Sequence, residues 1–251
     1  MQFTGWKIRF LKENVDLGKD DRYEMSEYKN GRLQLPNVTL AALTSVNVKE
    51  TIKAIKYSMK DIDFGEVVLI THRKPLFLPK EITYKHIDKL KTIDHFNYDM
   101  IYKIHEYIHT DFMLLVHYDG FVVNPDMWRD EFLDYDYIGS PFPLPGDDFS
   151  YRDVHGNICR VGNSVSIRSK RLLEFPEKAG IPFEADHGFF NEDGFICCKN
   201  RHLFEAAGMK YAPLEVAKYF GHESMIPEVE GIRPFVFHKW AGTNEQYPRF
   251  K

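Results

Sequence analysis

Five consecutive apolar residues, Phe112-Met113-Leu114-Leu115-Val116, stop at His117-Tyr118-Asp119, and this pattern narrows the fold more than any other stretch of the chain. The run is preceded by Ile93, Phe96, Met100, Ile104, Tyr107 and Ile108, whose spacings of three and four place them on one face of a helix. A short, wholly apolar run after such a helix reads as an interior strand covered on both faces. In open α/β sheets ligands bind outside the carboxyl ends of the strands. The carboxylate of Asp119 is therefore expected at a metal or phosphate site.

The upstream sequence repeats the alternation. Val38-Thr39-Leu40-Ala41-Ala42-Leu43 reads as a first strand and Val67-Val68-Leu69-Ile70 as a second. Between them Ile52, Ile55 and Met59 form a helical stripe, with Asn47 and Glu50 spaced as a capping box. Strand, helix, strand, helix, strand predicts an α/β fold with a mainly parallel sheet wound by right-handed crossovers. Residues 1–36 read as an N-terminal extension. In it Tyr23 to Tyr28 and Arg32 to Leu35 flank Asn30-Gly31, a dipeptide suited to a tight hairpin turn. Residues 37–251 then form one main domain, for which the length is ample.

Several function classes are disfavoured. A formal charge of -4 over 251 residues leaves no electrostatic footprint for nucleic acid, and Lys53, Lys56 and Lys60 read as a solvated helix face. The cysteines are three, Cys159, Cys197 and Cys198, and the adjacent pair does not suit a disulfide framework. That points to a reducing, cytoplasmic setting. The opening residues lack the apolar region of a signal peptide, and no stretch has transmembrane length. The expectation is a soluble protein or one peripheral to a membrane.

After Asp119 the pattern changes. Tyr135-Asp136-Tyr137-Ile138-Gly139-Ser140-Pro141 leads into a polar stretch, residues 143–157, that reads as a loop able to order over bound substrates. Cys159 to Arg168 reads as a strand carrying Gly162-Asn163. Ser169 is placed to cap the helix that follows, and Asn191 to cap one starting at Glu192-Asp193. Pro234-Phe235-Val236-Phe237-His238 reads as a short buried strand ending in an ionisable group.

From Leu115 to Trp240 the order of these motifs resembles the GT-A-fold glycosyltransferases, which use nucleotide sugars. His117-Tyr118-Asp119 stands where that class has its D-x-D metal motif, and Val161-Gly162-Asn163-Ser164 where it has a glycine loop. Asn191-Glu192-Asp193 matches its x-E-D motif, and His238 its C-terminal metal histidine. More narrowly, Tyr135 to Pro141, Val161-Gly162-Asn163, Glu192-Asp193 and Pro234 to His238 resemble a bacterial and viral glycosyltransferase-like family, formerly a domain of unknown function. The resemblance implies a GT-A-like mixed sheet flanked by helices. It also implies a nucleotide-sugar donor, a glycan or glycoconjugate acceptor, and Mn²⁺ or Mg²⁺ bound by Asp119 and His238.

The sequence departs from D-x-D at His117, so Asp119 is left as that motif's carboxylate, and a hard cation can be held by one or two carboxylates with phosphates and water. His117 either touches ribose or phosphate or packs as an ordinary histidine. Asp193 is the expected general base, kept ionised by the helix N-terminus, which favours an inverting mechanism. Glu192 either orients the acceptor or serves as the base itself. Gly162 is expected to let the backbone approach the donor sugar beside Asn163, with Tyr118 also at the donor. Thr44, Ser45 and Val46, and Thr71, His72 and Arg73, follow the first two strands and are positional candidates for donor contact. Two alternatives stay open: a metal-dependent nucleotidyltransferase or phosphohydrolase using Asp119, and a non-catalytic sugar-nucleotide-binding module.

Overall fold

The computed structural model describes residues 27–184, 191–239 and 244–250. Its centre is β2 (Arg32–Leu43), flanked in parallel by β3 (Ile62–Thr71) and β5 (Phe112–Leu115). β4 (Thr83–His86) extends the sheet in parallel beyond β3. On the other side β8 (Val161–Ser169) runs antiparallel to β5, and β7 (Tyr137–Pro141) antiparallel to β8. The order β4-β3-β2-β5-β8-β7 is thus a mixed α/β sheet with a parallel half.

Alternation of side chains explains why both faces are covered. In β2, β5 and the residue after it, Leu40, Ala42, Phe112, Leu114 and Val116 enter one core, while Ala41, Leu43, Met113 and Leu115 enter another. The first core receives Ala54 and Ile55 of α1 (Val48–Ser58). The second receives Met100 of α2 (Ile93–Tyr102) and Ile104 of the 3₁₀ turn after it. Strands buried on both sides in this way need apolar residues at every position, as the sequence pattern requires.

The expected turn at Asn30-Gly31 is present, with φ of 52° and 77°, and it pairs β1 (Tyr28–Lys29) with the start of β2. Residues of the proposed hairpin before 27 lie outside the described residues. β2 itself is longer than the strand read from Val38: Leu33 and Leu35 pair with β3 and are buried. The register shifts around Pro36, which has no N–H to donate. A Cβ on Gly65 would lie 1.9 Å from the Pro36 carbonyl oxygen, so glycine accommodates the bulge. Residues 32–36 of the expected extension are therefore continuous with the first strand.

Two helix caps differ from expectation. Asn47 has left-handed angles, φ 48° and ψ 35°, and makes no side-chain cap bond to α1; a capping side chain needs extended backbone at that position. Asn191 likewise caps nothing. Ser169 does cap α3 (Lys170–Lys178), accepting from the Leu172 amide at 3.2 Å. The helix starting at Glu192 is one turn, α4 (Glu192–Gly194), that passes into a π-helical turn, Phe195–Lys199, before α5 (Arg201–Ala206). The terminal strand β10 (Val236–His238) joins a second, small sheet. It lies between β6 (Gly120–Val122) and β9 (Gly221–His222), which follows α6 (Leu214–Phe220).

Candidate active site

Parallel neighbours end at the same edge, so β2 and β5 deliver Thr44-Ser45-Val46 and His117-Tyr118-Asp119 together, with Ala41 opposite Leu115. β8 starts at that edge and runs away from it, with Leu114 opposite Ile167, so its first residues bring Asn163 and Ser164 beside them. Asn191, Glu192 and Asp193 close another wall of a cleft of about 450 Å³. That volume falls in the ordinary range for small-molecule sites, roughly 300–1,000 Å³.

Asp119 sits in a two-residue hairpin turn. The His117 amide donates to the Gly120 carbonyl at 2.7 Å and the Gly120 amide donates back at 3.3 Å. The returning strand β6 pairs with β10 so that His238 lies opposite Gly120. A Cβ on Gly120 would lie 2.7 Å from His238 Cδ2 and 2.5 Å from Val165 Cγ2, so only glycine permits this approach. As a result His238 Nε2 lies 3.7 Å from Asp119 Oδ1. Its other nitrogen, Nδ1, is 3.1 Å from Glu223 Oε1, which orients the ring. Asn244 Nδ2 faces the carbonyls of His222, Glu223 and His238 at 3.2, 3.0 and 2.9 Å and ties the two segments together.

Charges in the cleft are strongly coupled. Burial disfavours the charged form of His238, but the Glu223 hydrogen bond and charge, with Asp119 and Asp193, outweigh it and raise the pKa. His117 goes the other way: burial and the neighbouring His238 push it down to about 4. It is neutral at ordinary pH, its ring packs tilted against Phe96 with centroids 6.1 Å apart, and its buried Nε2 has no partner among the described residues. Tyr118 is partly exposed, and the negative charge of Asp119 raises its pKa.

The Glu192 carboxylate is buried and committed. It accepts hydrogen bonds from Ser164 Oγ and from Arg168 Nη2, the latter at 2.9 Å, and Arg168 is itself fully buried. Burial opposes ionisation of Glu192, yet the Arg168 charge and these hydrogen bonds win and lower its pKa. Glu192 thus holds Ser164 and the cleft wall, which disfavours it as the base. Asp193 accepts from the Gly194 amide at 2.8 Å. Burial, then the charges of Glu192 and Glu223, push its pKa up to about 7. This corrects the expectation of a carboxylate kept ionised by a helix end: one turn of helix and one amide do not offset desolvation and two like charges.

Of the other sequence candidates, Thr44, Ser45, Val46, His117, Tyr118, Asp119 and Asn163 line the cleft, whereas Gly162, Thr71 and Arg73 do not. A Cβ on Gly162 would lie 1.9 Å from the Phe142 ring, so this glycine serves core packing. Thr71 is buried at the end of β3 and Arg73 is exposed beyond it. Asn163, which is 1% exposed, adopts φ 88°, a region that favours glycine. Its Oδ1 accepts from the Val165 amide at 3.1 Å, while its buried Nδ2 has no partner among the described residues. Glu223, Asn244 and Arg168 carry no local signal in the sequence and emerge only from contact.

A divalent cation fits the donor set. A gap of 3.7 Å between Asp119 Oδ1 and His238 Nε2 is spanned by one ion with bonds of roughly 2.0–2.2 Å. Among the described residues no group of three or more His, Cys, Asp or Glu side chains is arranged to hold a metal. With Asp119 and His238 as its protein ligands, such an ion would have its remaining positions open to phosphate oxygens and water.

The family model for DUF5672, a protein of unknown function, matches residues 82–238. This chain belongs to the DUF5672 family. The match runs from β4 to His238 and so contains Asp119, Asn163, Glu192, Asp193 and Glu223. No curated protein matches the chain. Among solved structures it is similar to the galactosyltransferase LgtC in complex with donor and acceptor sugar analogs. The identity is 12%, over 80% of this chain and 86% of that one, with a TM-score of 0.49. An active-site mutant of LgtC gives the same values, 12% identity and a TM-score of 0.49.

Proposed function

We propose that this DUF5672 protein is a glycosyltransferase that moves a sugar from a nucleoside diphosphate to a glycan or glycoconjugate acceptor. The observation that carries the reading is convergence: Asp119, His238, Glu223 and Asp193, from four separate segments, meet in one cleft at the carboxyl edge of the parallel strands. Asp119 and His238 would hold Mn²⁺ or Mg²⁺, which when bound would supply Lewis-acid stabilisation of charge on a diphosphate. Glu223 fixes the His238 ring. Asp193 accepts the proton of the acceptor hydroxyl as its oxygen bonds to the anomeric carbon and the bond to phosphate breaks. A base with a pKa near 7 suits that task at neutral pH. Direct displacement inverts the anomeric centre. Neutral His117 and the Asn163 side-chain amide supply hydrogen bonds to the donor, satisfying buried groups that lack partners among the described residues.

The test is calorimetric titration of a panel of nucleoside diphosphates, with and without Mn²⁺, into wild type and Asp119→Ala. Mn²⁺-dependent binding is expected in wild type and its loss in the variant, because a two-ligand site cannot spare its carboxylate. Equal affinity in both proteins would remove the basis of the proposal.

A further inference from the structure

Leu76 and Phe77 are adjacent and 93% and 94% exposed, whereas the next most exposed large apolar side chain among the described residues, Phe149, reaches 66%. They stand in the connection between β3 and β4, with Pro75 before them and Pro79 after. Leu78 and Ile82 anchor this connection in the main core, so the pair projects from a held segment. Arg73, Lys74 and Lys80 are exposed around it, opposed in the same connection by Glu81 alone. None of these three cations forms an ion pair among the described residues.

Full exposure of two such side chains costs hydrophobic free energy unless something covers them. A protein partner would need roughly 800 Å² per side for a stable interface, and two side chains on a narrow projection supply only part of that. A lipid surface asks for less: apolar side chains enter the acyl boundary while neighbouring cations meet anionic headgroups. The chain as a whole is acidic, at -4, so the positive charge here is local. The connection also leaves the carboxyl edge that bears the cleft, since the Thr44 amide donates to the Ile70 carbonyl at 3.0 Å.

We propose that residues 73–80 dock this protein on an anionic lipid surface, with Leu76 and Phe77 inserted and Arg73, Lys74 and Lys80 at the headgroups. The role is independent of the reaction in the cleft. It also gives Arg73 a function that its position outside the cleft denies it there.

Co-sedimentation tests this with vesicles of phosphatidylcholine alone and with about one third phosphatidylglycerol. Wild type should bind the anionic vesicles, less so at high salt. The Leu76→Ser, Phe77→Ser double variant should partition roughly tenfold less while melting at the wild-type temperature, because exposed side chains contribute little to folding. Arg73→Glu with Lys74→Glu should lose the preference for anionic vesicles. Absence of wild-type binding, or equal binding by the serine variant, overturns the proposal. A wild-type dimer that the serine variant converts to monomer, without vesicle binding, also overturns it and assigns the pair to self-association.

Discussion

Asp193 is where a single side chain carries the most testable chemistry. With a pKa near 7 it is protonated on the acid side of neutrality and able to accept a proton above it, so transfer should rise as pH passes upward through that region. Asp193→Asn should keep donor affinity and lose roughly a hundredfold in transfer, the scale of general-base assistance. Near-normal transfer would return Asp193 to a structural role. The same shift has a stability consequence. The folded state holds this proton more tightly than an ordinary carboxylate does, so the contribution is full at low pH and is lost as pH rises through about 7. The asparagine variant should therefore melt above wild type at about pH 8, with the gap closing toward pH 5. Asp119, His238 and Asp193 were legible as residues because each stands at a strand or helix end. Glu223 was not, since nothing local marks a carboxylate whose partner is the His238 ring.

Between elements, the decisive contact is that of β6 with β10. Gly120 faces His238 across this pair with no room for a methyl group. Gly120→Ala should cost about 1–3 kcal/mol by overpacking, measured by denaturant unfolding. It should also weaken Mn²⁺-dependent nucleotide binding, since His238 must move from Asp119; binding at full strength in a destabilised variant would separate the two effects and refute the positioning argument. Asp136, in the motif Tyr135 to Pro141, is instead spent on structure. It accepts from Ser169 Oγ at 2.6 Å and from the Lys210 amide at 2.8 Å, and it pairs with Arg171. A motif noticed for family resemblance thus splits by role once partners are known.

Across the molecule, protection should follow the sheet order. β2 and β5 are apolar on both faces and paired on both sides, so their amides should exchange slowest in native-state hydrogen exchange, while edge strand β4 and residues 143–157 exchange early. Exchange of β5 at loop rates would contradict the architecture. The parallel half of this sheet was readable from the chain because burial on both faces forces continuous apolar runs, and helical spacing between them forces crossovers. Ser169 as a cap was readable for the same local reason. Other features were decided only in three dimensions. β8 turns back antiparallel and places Asn163 at the cleft, the packing of Phe142 claims Gly162, and the buried Arg168 claims Glu192. Desolvation beside Glu192 and Glu223 then moves Asp193 to neutrality. Periodicity and caps depend on neighbours a few residues away, whereas desolvation, register and ion pairing depend on groups distant in sequence, and only the folded chain brings those together.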